Sequence, residues 1–364
     1  VPLDEPTWWY ATADSRAAKL LAPLASVYSW FATRHLLKTH PTRAPHPVIC
    51  IGNFTAGGTG KTPLTRFIAE LLRTEGFQPI ILTRGYGGTL KGPHFVNPAI
   101  DHAAQVGDEP LLLAATNEVL IARDRLAGAR AIALQKRPKN TVILMDDGLQ
   151  NPSLFKDLTI AIVDGARGLG NGRVIPAGPL RAPIKIQASL ADAIVINMGA
   201  ETAGNTDTEG TLENHHITWL RQNFTGQILT AHVHPANETK WLKSAPAPVI
   251  AYAGIANPQR FLKLLRSLGV AIHAECLFRD HQQLTQNDAI KLLNLADHHD
   301  ATLITTEKDI VRLPAYDDGS PLARLRTASQ TLPIELTFTQ QDNDRLKLLI
   351  RNTCQKSLNH GVSA

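Results

Sequence analysis

The chain has 364 residues, 43% hydrophobic and 19% charged, with a formal net charge of +5; this composition excludes a disordered or fibrous protein, and the length allows two cores, since single domains rarely pass roughly 250 residues. Three widely spaced cysteines, Cys50, Cys276 and Cys354, exclude a disulfide framework and a zinc site and fit a reducing compartment. The modest basicity suits a phosphorylated ligand or an anionic surface, whereas no RNP-type aromatic pattern or Cys/His finger spacing supports nucleic acid as a partner.

In chain order, Trp8, Trp9 and Tyr10 precede an apolar stretch over residues 17–37. Lys19, Pro23 and Arg34 interrupt it and argue against a membrane span or signal peptide. It reads as an amphipathic helix that lies in a bilayer interface or packs on the protein's own core.

Residues 48–63, VICIGNFTAGGTGKTP, then pass from a short apolar strand into a glycine-rich turn. Small residues let successive backbone N–H groups face phosphate oxygens, Lys61 reaches the outer phosphates, and the Thr62 hydroxyl can ligate Mg²⁺. Thr55 stands where the strict pattern G-x-x-x-x-G-K-[ST] has its first glycine. The candidate nucleotide-binding residues are Thr55, Ala56, Gly57, Gly58, Thr59, Gly60, Lys61 and Thr62, joined downstream by Gln150.

Strand-like runs follow at 79–85, 141–148, 158–165 and 193–199, with helical patterns at 63–75 and 109–126. Such alternation predicts an α/β fold: a P-loop NTPase-like, mostly parallel sheet with helices on both faces, its polar sites at the strands' C-terminal ends. Arg84 sits at one such end in a glycine-rich loop, where a guanidinium fork suits an anion. Asp108 and Glu109 in GDEP read in isolation as helix caps. Asp146 and Asp147 end an apolar run, as the Walker B arrangement requires, and are the candidate metal ligands together with Thr62. The segment 165–181 is too glycine-rich for a core, and its arginines suit an anionic ligand; Arg84, Asn171, Arg173 and Arg181 are the candidate substrate-binding residues.

Residues 200–215 are polar and mark a boundary or loop. A strand at 227–234 and another at 331–338 are expected to pair and connect a smaller α/β domain as a hinge. The expected organisation is 1–46, an N-terminal helical segment; 47–222, the P-loop core; 223–244 and 331–340, linker strands; 245–330, the smaller domain; and 341–364, a C-terminal helical segment. Within the smaller domain, His281 precedes a helix and Lys308 and Asp309 follow a strand; TTEKD is not the NKxD guanine-reading signature.

Taken together, IGNFTAGGTGKTP, LTRGYGG, GDEP, DDGLQ, DGARGLGNGRVIPAGPLR, AGIANPQRF, FRDH and TTEKD resemble, in this order, the tetraacyldisaccharide 4′-kinase (lipid A 4′-kinase) family over nearly the whole chain. The resemblance implies ATP- and Mg²⁺-dependent phosphorylation of the 4′-hydroxyl of a tetraacylated glucosamine disaccharide 1-phosphate, giving lipid IVA at the cytoplasmic face of the inner membrane. It implies peripheral membrane contact through the N-terminal segment and a monomer. By that resemblance Asp108 is the catalytic base, replacing the cap reading, His281 its partner from the smaller domain, and Lys61 the stabiliser of phosphate charge. The family pattern continues Leu-Arg-Glu after the Pro-Ala-Gly segment, whereas Arg181 is followed here by Ala182 and Pro183. Glu109 or solvent is the expected substitute for that missing carboxylate. Two alternatives use the same loop: a nucleotide-switched binding protein of the partitioning or metal-delivery type, and a P-loop kinase with a soluble acceptor.

Overall fold

The computed structural model describes residues 5–10, 15–200, 215–236, 248–316 and 318–360. Most of the expected boundary at 200–215 lies outside them. Strands are β1 Val48–Asn53, β2 Gln78–Thr83, β3 His94–Phe95, β4 Glu118–Ile121, β5 Thr141–Asp146, β6 Leu158–Asp164, β7 Ala193–Asn197, β8 Gln227–Pro235, β9 Val249–Ala253, β10 Ile272–Leu277, β11 Thr302–Thr306, β12 Ser329–Leu332 and β13 Ile334–Phe338. Among the described residues they form a nine-stranded sheet, β13-β8-β7-β6-β1-β5-β2-β4-β3, and a four-stranded sheet, β10-β9-β11-β12.

In the large sheet all pairings are parallel except β13 with β8 and β3 with β4. Its central strands are near-continuous apolar runs because helices cover both faces; β1, β5 and β6 are buried at every position. The crossover after β1 runs past β5 to β2 on one side of it, and the later crossover from β5 runs past β1 to β6 on the other. That reversal opens a crevice beyond the C-terminal end of β1.

The helix Lys61–Thr74 packs Leu64, Ile68, Leu71 and Leu72 into a core that also takes in Val249, Phe261 and Leu332 around the small sheet. Apolar packing is therefore continuous between the two sheets. The C-terminal helix Gln340–His360 adds Leu346, Ile350 and Cys354 to it.

Two expected elements are corrected. The helical pattern at 109–126 breaks into a short helix Asp108–Ala114, strand β4, and the start of a helix at Arg125. Val119, Leu120 and Ile121 are buried beside β2, and the sheet's edge outweighs the helical spacing. The single strand expected at 331–338 is split at Pro333, which has no N–H to give to a ladder. β12 ahead of it runs parallel to β11 in the small sheet, and β13 after it runs antiparallel to β8 in the large one.

Candidate active site

Backbone geometry builds the phosphate loop first. Gly57 (φ 96°) and Gly60 (φ 101°) take left-handed conformations that a side chain disfavours. A Cβ on Gly60 would lie 2.4 Å from Nδ2 of Asn197, which itself donates to the Thr59 carbonyl at 3.0 Å. The loop is braced from outside: Ala56 N donates to Pro179 O (2.8 Å), Arg181 N to Phe54 O (2.9 Å) and Arg181 Nε to Thr55 O (3.2 Å). Lys61 opens the following helix, whose N-terminal dipole adds positive potential at the same place.

At the end of β5 the two adjacent acids differ. Asp146 is fully buried, accepting from Thr65 Oγ1 (3.0 Å) and Thr83 Oγ1 (3.3 Å). Burial, then the charges of Glu109 and Asp147, push its carboxyl above the ordinary range. Burial acts the same way on Asp147, but Lys61 Nζ at 3.7 Å and Arg181 Nη1 at 3.0 Å overcome it and hold Asp147 well below that range. Gln150 Nε2 donates to Asn53 O (2.8 Å) and Gln187 Oε1 (2.7 Å), fixing its position next to this pair.

Asp108 begins its helix after Gly107, whose positive φ and contact with the Tyr86 carbonyl leave no room for a Cβ. Its Oδ1 accepts from Glu109 N (2.8 Å). Oδ2 is bonded from the small sheet, by His281 Nδ1 (3.0 Å) and Arg312 Nε (2.9 Å). Burial alone would raise this carboxyl; the His281 hydrogen bond and the cations Lys308 and Arg312 outweigh it and hold Asp108 far below its usual value. Arg312 is anchored in turn by Asp309 Oδ1 and Gly254 O, both at 2.7 Å. Further pairs bridge the sheets: Lys308 with Glu109 (2.7 Å), Arg66 with Glu307 (2.9 Å) and Arg260 with Asp164 (2.9 Å).

These elements surround a cavity of about 1840 Å³ lined by residues 56–63, Arg84, Asp147, Gln150, Arg181 and His281. An apolar wall that includes Trp8, Trp9, Tyr28 and Phe31 completes it, so the polar end can hold a nucleotide triphosphate while an acyl-bearing molecule meets the other. Thr55, Asp108 and Asp146 stand just behind the lining.

Two candidates fall elsewhere. Asn171 is buried and spends its amide on its own loop, donating to Ala177 O (2.9 Å) and accepting from Arg173 N (3.1 Å). It staples the turn, and neither it nor Arg173 on the same turn is among the residues that line the cavity. Ala182 is buried, with its carbonyl bonded by Gln187 Nε2 (2.7 Å), while Glu109, the expected substitute carboxylate, is engaged by Lys308. Sequence reasoning missed Arg312, although it lies four residues after Lys308. It also missed Asn197 and Glu5, which reach the loop from distant segments and carry no local signal.

A family model described as tetraacyldisaccharide-1-P 4′-kinase matches residues 17–354. A tetraacyldisaccharide 4′-kinase of Bradyrhizobium sp. (strain BTAi1) is 41% identical over 336 residues, 92% of this chain and 91% of that relative. One from Nitrobacter winogradskyi is 42% identical over 355 residues, 97% of this chain and 98% of its own length. The "apo" form of LpxK from Aquifex aeolicus, solved in complex with ATP, superposes with a TM-score of 0.68 at 24% identity, covering 92% of this chain and 99% of that one. The latter likeness establishes a common fold.

Proposed function

The chain belongs to the tetraacyldisaccharide 4′-kinase family, and from that premise we propose that it transfers the γ-phosphoryl group of ATP to the 4′-hydroxyl of a tetraacylated glucosamine disaccharide 1-phosphate. Family membership sets aside the nucleotide-switched binding protein. The observation that carries the chemistry is the contact of Asp108 with His281, made between the two sheets beside the phosphate loop.

In this reading the loop amides and Lys61 cradle the outer phosphates, and Arg84 and Arg181 face anionic groups at the cavity's polar end. The acceptor's O–H proton passes to Asp108 as the new O–P bond forms and the bridging P–O bond breaks, releasing ADP. A carboxylate held so far below its usual pKa is a weak base for a resting alcohol. It need accept the proton only as the phosphoryl group arrives, and His281 and Arg312 keep it aimed.

Mg²⁺ fits the donor set. Glu109 and Asp147 both act on Asp146, and Lys61 acts on all three, yet among the described residues no three His, Cys, Asp or Glu side chains are placed to hold an ion unaided. A hard divalent ion that keeps phosphate and water ligands suits such a site, with Thr62, Asp146 and Asp147 as its protein contacts. When bound it would neutralise charge on the β- and γ-phosphate oxygens.

The membrane side of the proposal rests on the helix Arg16–Lys38. Its apolar face leaves Leu20 81%, Trp30 58% and Phe31 59% exposed, with Arg16, Lys19, Arg34 and Lys38 on the same helix. Among the described residues no helix is long and apolar enough to cross a membrane. An interfacial position at the cytoplasmic face of the inner membrane would use both kinds of side chain and present the cavity's apolar wall to lipid. The test is phosphate transfer from Mg-ATP to the disaccharide 1-phosphate in mixed micelles: wild type should form the 4′-phosphorylated product, and its failure to do so would refute the reading. Trp30→Ser with Phe31→Ser should lower binding to anionic vesicles; unchanged partitioning would reject the interfacial helix.

A further inference from the structure

The N-terminal strap of residues 5–10 carries a carboxylate onto the phosphate loop. Trp9 fixes the strap to the glycine-rich segment, its indole Nε1 donating to Pro176 O (3.2 Å) and its carbonyl accepting from Asn171 N (2.7 Å). The Glu5 side chain is thereby laid on Gly57, with Oε1 only 1.7 Å from where a Cβ on that glycine would be. Tyr10 Oη (2.8 Å) and Arg167 Nη1 (3.0 Å) both donate to Oε2, and Arg167 stacks over the Tyr10 ring at 4.5 Å. Oε1, by contrast, is buried and has no hydrogen-bond partner. Asp280, next to His281, repeats the pattern with a buried, unpartnered Oδ1. Burial, and then the Asp280 charge, push the Glu5 carboxyl up against the pull of Tyr10 and Arg167, so the two acids feel one another.

A buried carboxylate oxygen without a donor is costly and calls for a partner that arrives in function. The phosphates that the loop holds beside Gly57 are not that partner, because they offer acceptors only and carry the same sign of charge. A sugar acceptor brings hydroxyl and amide donors. Resting on the kinase reading above, we propose that Glu5 belongs to the acceptor site, where its Oε1 takes a hydrogen bond from a hydroxyl or amide N–H of the disaccharide beside the phosphate loop. The strap thus joins the helix Arg16–Lys38 to the reacting end of the cavity.

Initial rates at varied acceptor and saturating Mg-ATP, in mixed micelles, test this with Glu5→Gln, Glu5→Ala and Tyr10→Phe, while calorimetry reads the ATP Kd of each protein. Glu5→Ala should lower kcat/KM for the acceptor about 10- to 100-fold, mainly through KM, with the ATP Kd changed by less than about twofold. Glu5→Gln, which keeps an acceptor oxygen, should lose less, and Tyr10→Phe, which loosens only the hold on Oε2, least. Unaltered acceptor kinetics in Glu5→Ala would overturn the assignment. A shift of about tenfold in ATP Kd, in either direction, would overturn it as well, making Glu5 a brace or an electrostatic screen of the phosphate loop. Inactive wild type sinks the kinase reading and this one together; active wild type with unaffected Glu5 variants sinks this one alone.

Discussion

Asp108 and Asp146 stand behind the same cavity, yet their carboxyls are pushed in opposite directions. Around Asp108 the small sheet gathers His281, Lys308 and Arg312, and the carboxylate is ionised and fully bonded. Around Asp146 the large sheet gathers two hydroxyls and two further acids, and the carboxyl is pushed towards its protonated form. One corner is completed by the protein's own cations, while at the other Lys61 and Arg181 pair with Asp147 and, among the described residues, no cation forms an ion pair with Asp146. On the proposed kinase reading, the difference would separate a group that is aimed from a group that receives a metal.

Substitutions that leave one corner intact break or sharpen this contrast. The largest effect is expected for Asp108→Asn, which should slow phosphate transfer by about 10²–10⁴-fold with ATP affinity retained, measured by single-turnover transfer and nucleotide titration. Next comes Arg312→Met, which removes a buried cation from a buried acid and should cost about 3 kcal/mol in chemical denaturation. In Asp108→Asn plus Arg312→Met the loss should fall below the sum of the single losses. The acid limb carries the same signature. Asp108 has a depressed folded pKa, so its stabilisation is full above its unfolded value near about 4 and is lost as pH falls; Asp108→Asn should flatten that limb of the stability profile.

Asp146→Asn should act with the opposite sign. Relieving an acid pushed up by burial, Glu109 and Asp147 should stabilise the nucleotide-free protein at pH 7 by roughly 1 kcal/mol. The same change should shrink the rise in Tm produced by Mg-ATP, and an unchanged rise would place the metal elsewhere. The smallest effect is expected at Thr65→Val, about 0.5–1 kcal/mol, since one hydroxyl bond to Asp146 is lost and Thr83 remains.

The legible parts of the molecule were those where one stretch of chain contains the whole physical reason. The loop of residues 55–62 follows its strand directly and opens its helix, so glycine, lysine and threonine can be read in place. Asp146 and Asp147 are announced by the apolar run before them. The large sheet was readable for the same reason, its buried parallel strands being uninterrupted apolar runs. By contrast, the bond from Arg312 to Asp108 spans 204 positions, and Asn197 reaches Thr59 across 138. Only the tertiary fold creates those contacts. Asn171 bonds its own loop, because a glycine-rich segment needs polar side chains to hold its own backbone, a demand that composition cannot distinguish from ligand binding.

Pro333 gives the joint between the two sheets an unusual economy. Leu332 on one side is paired in β12 and Ile334 on the other in β13, so ladder hydrogen bonds pin both neighbours. The proline ring fixes φ, and the Pro333 carbonyl accepts from Ala236 N (3.0 Å), so the crossing is held on both sides of its Cα. A joint with so little slack holds the two sheets in one register, and with it His281 and Arg312 against Asp108.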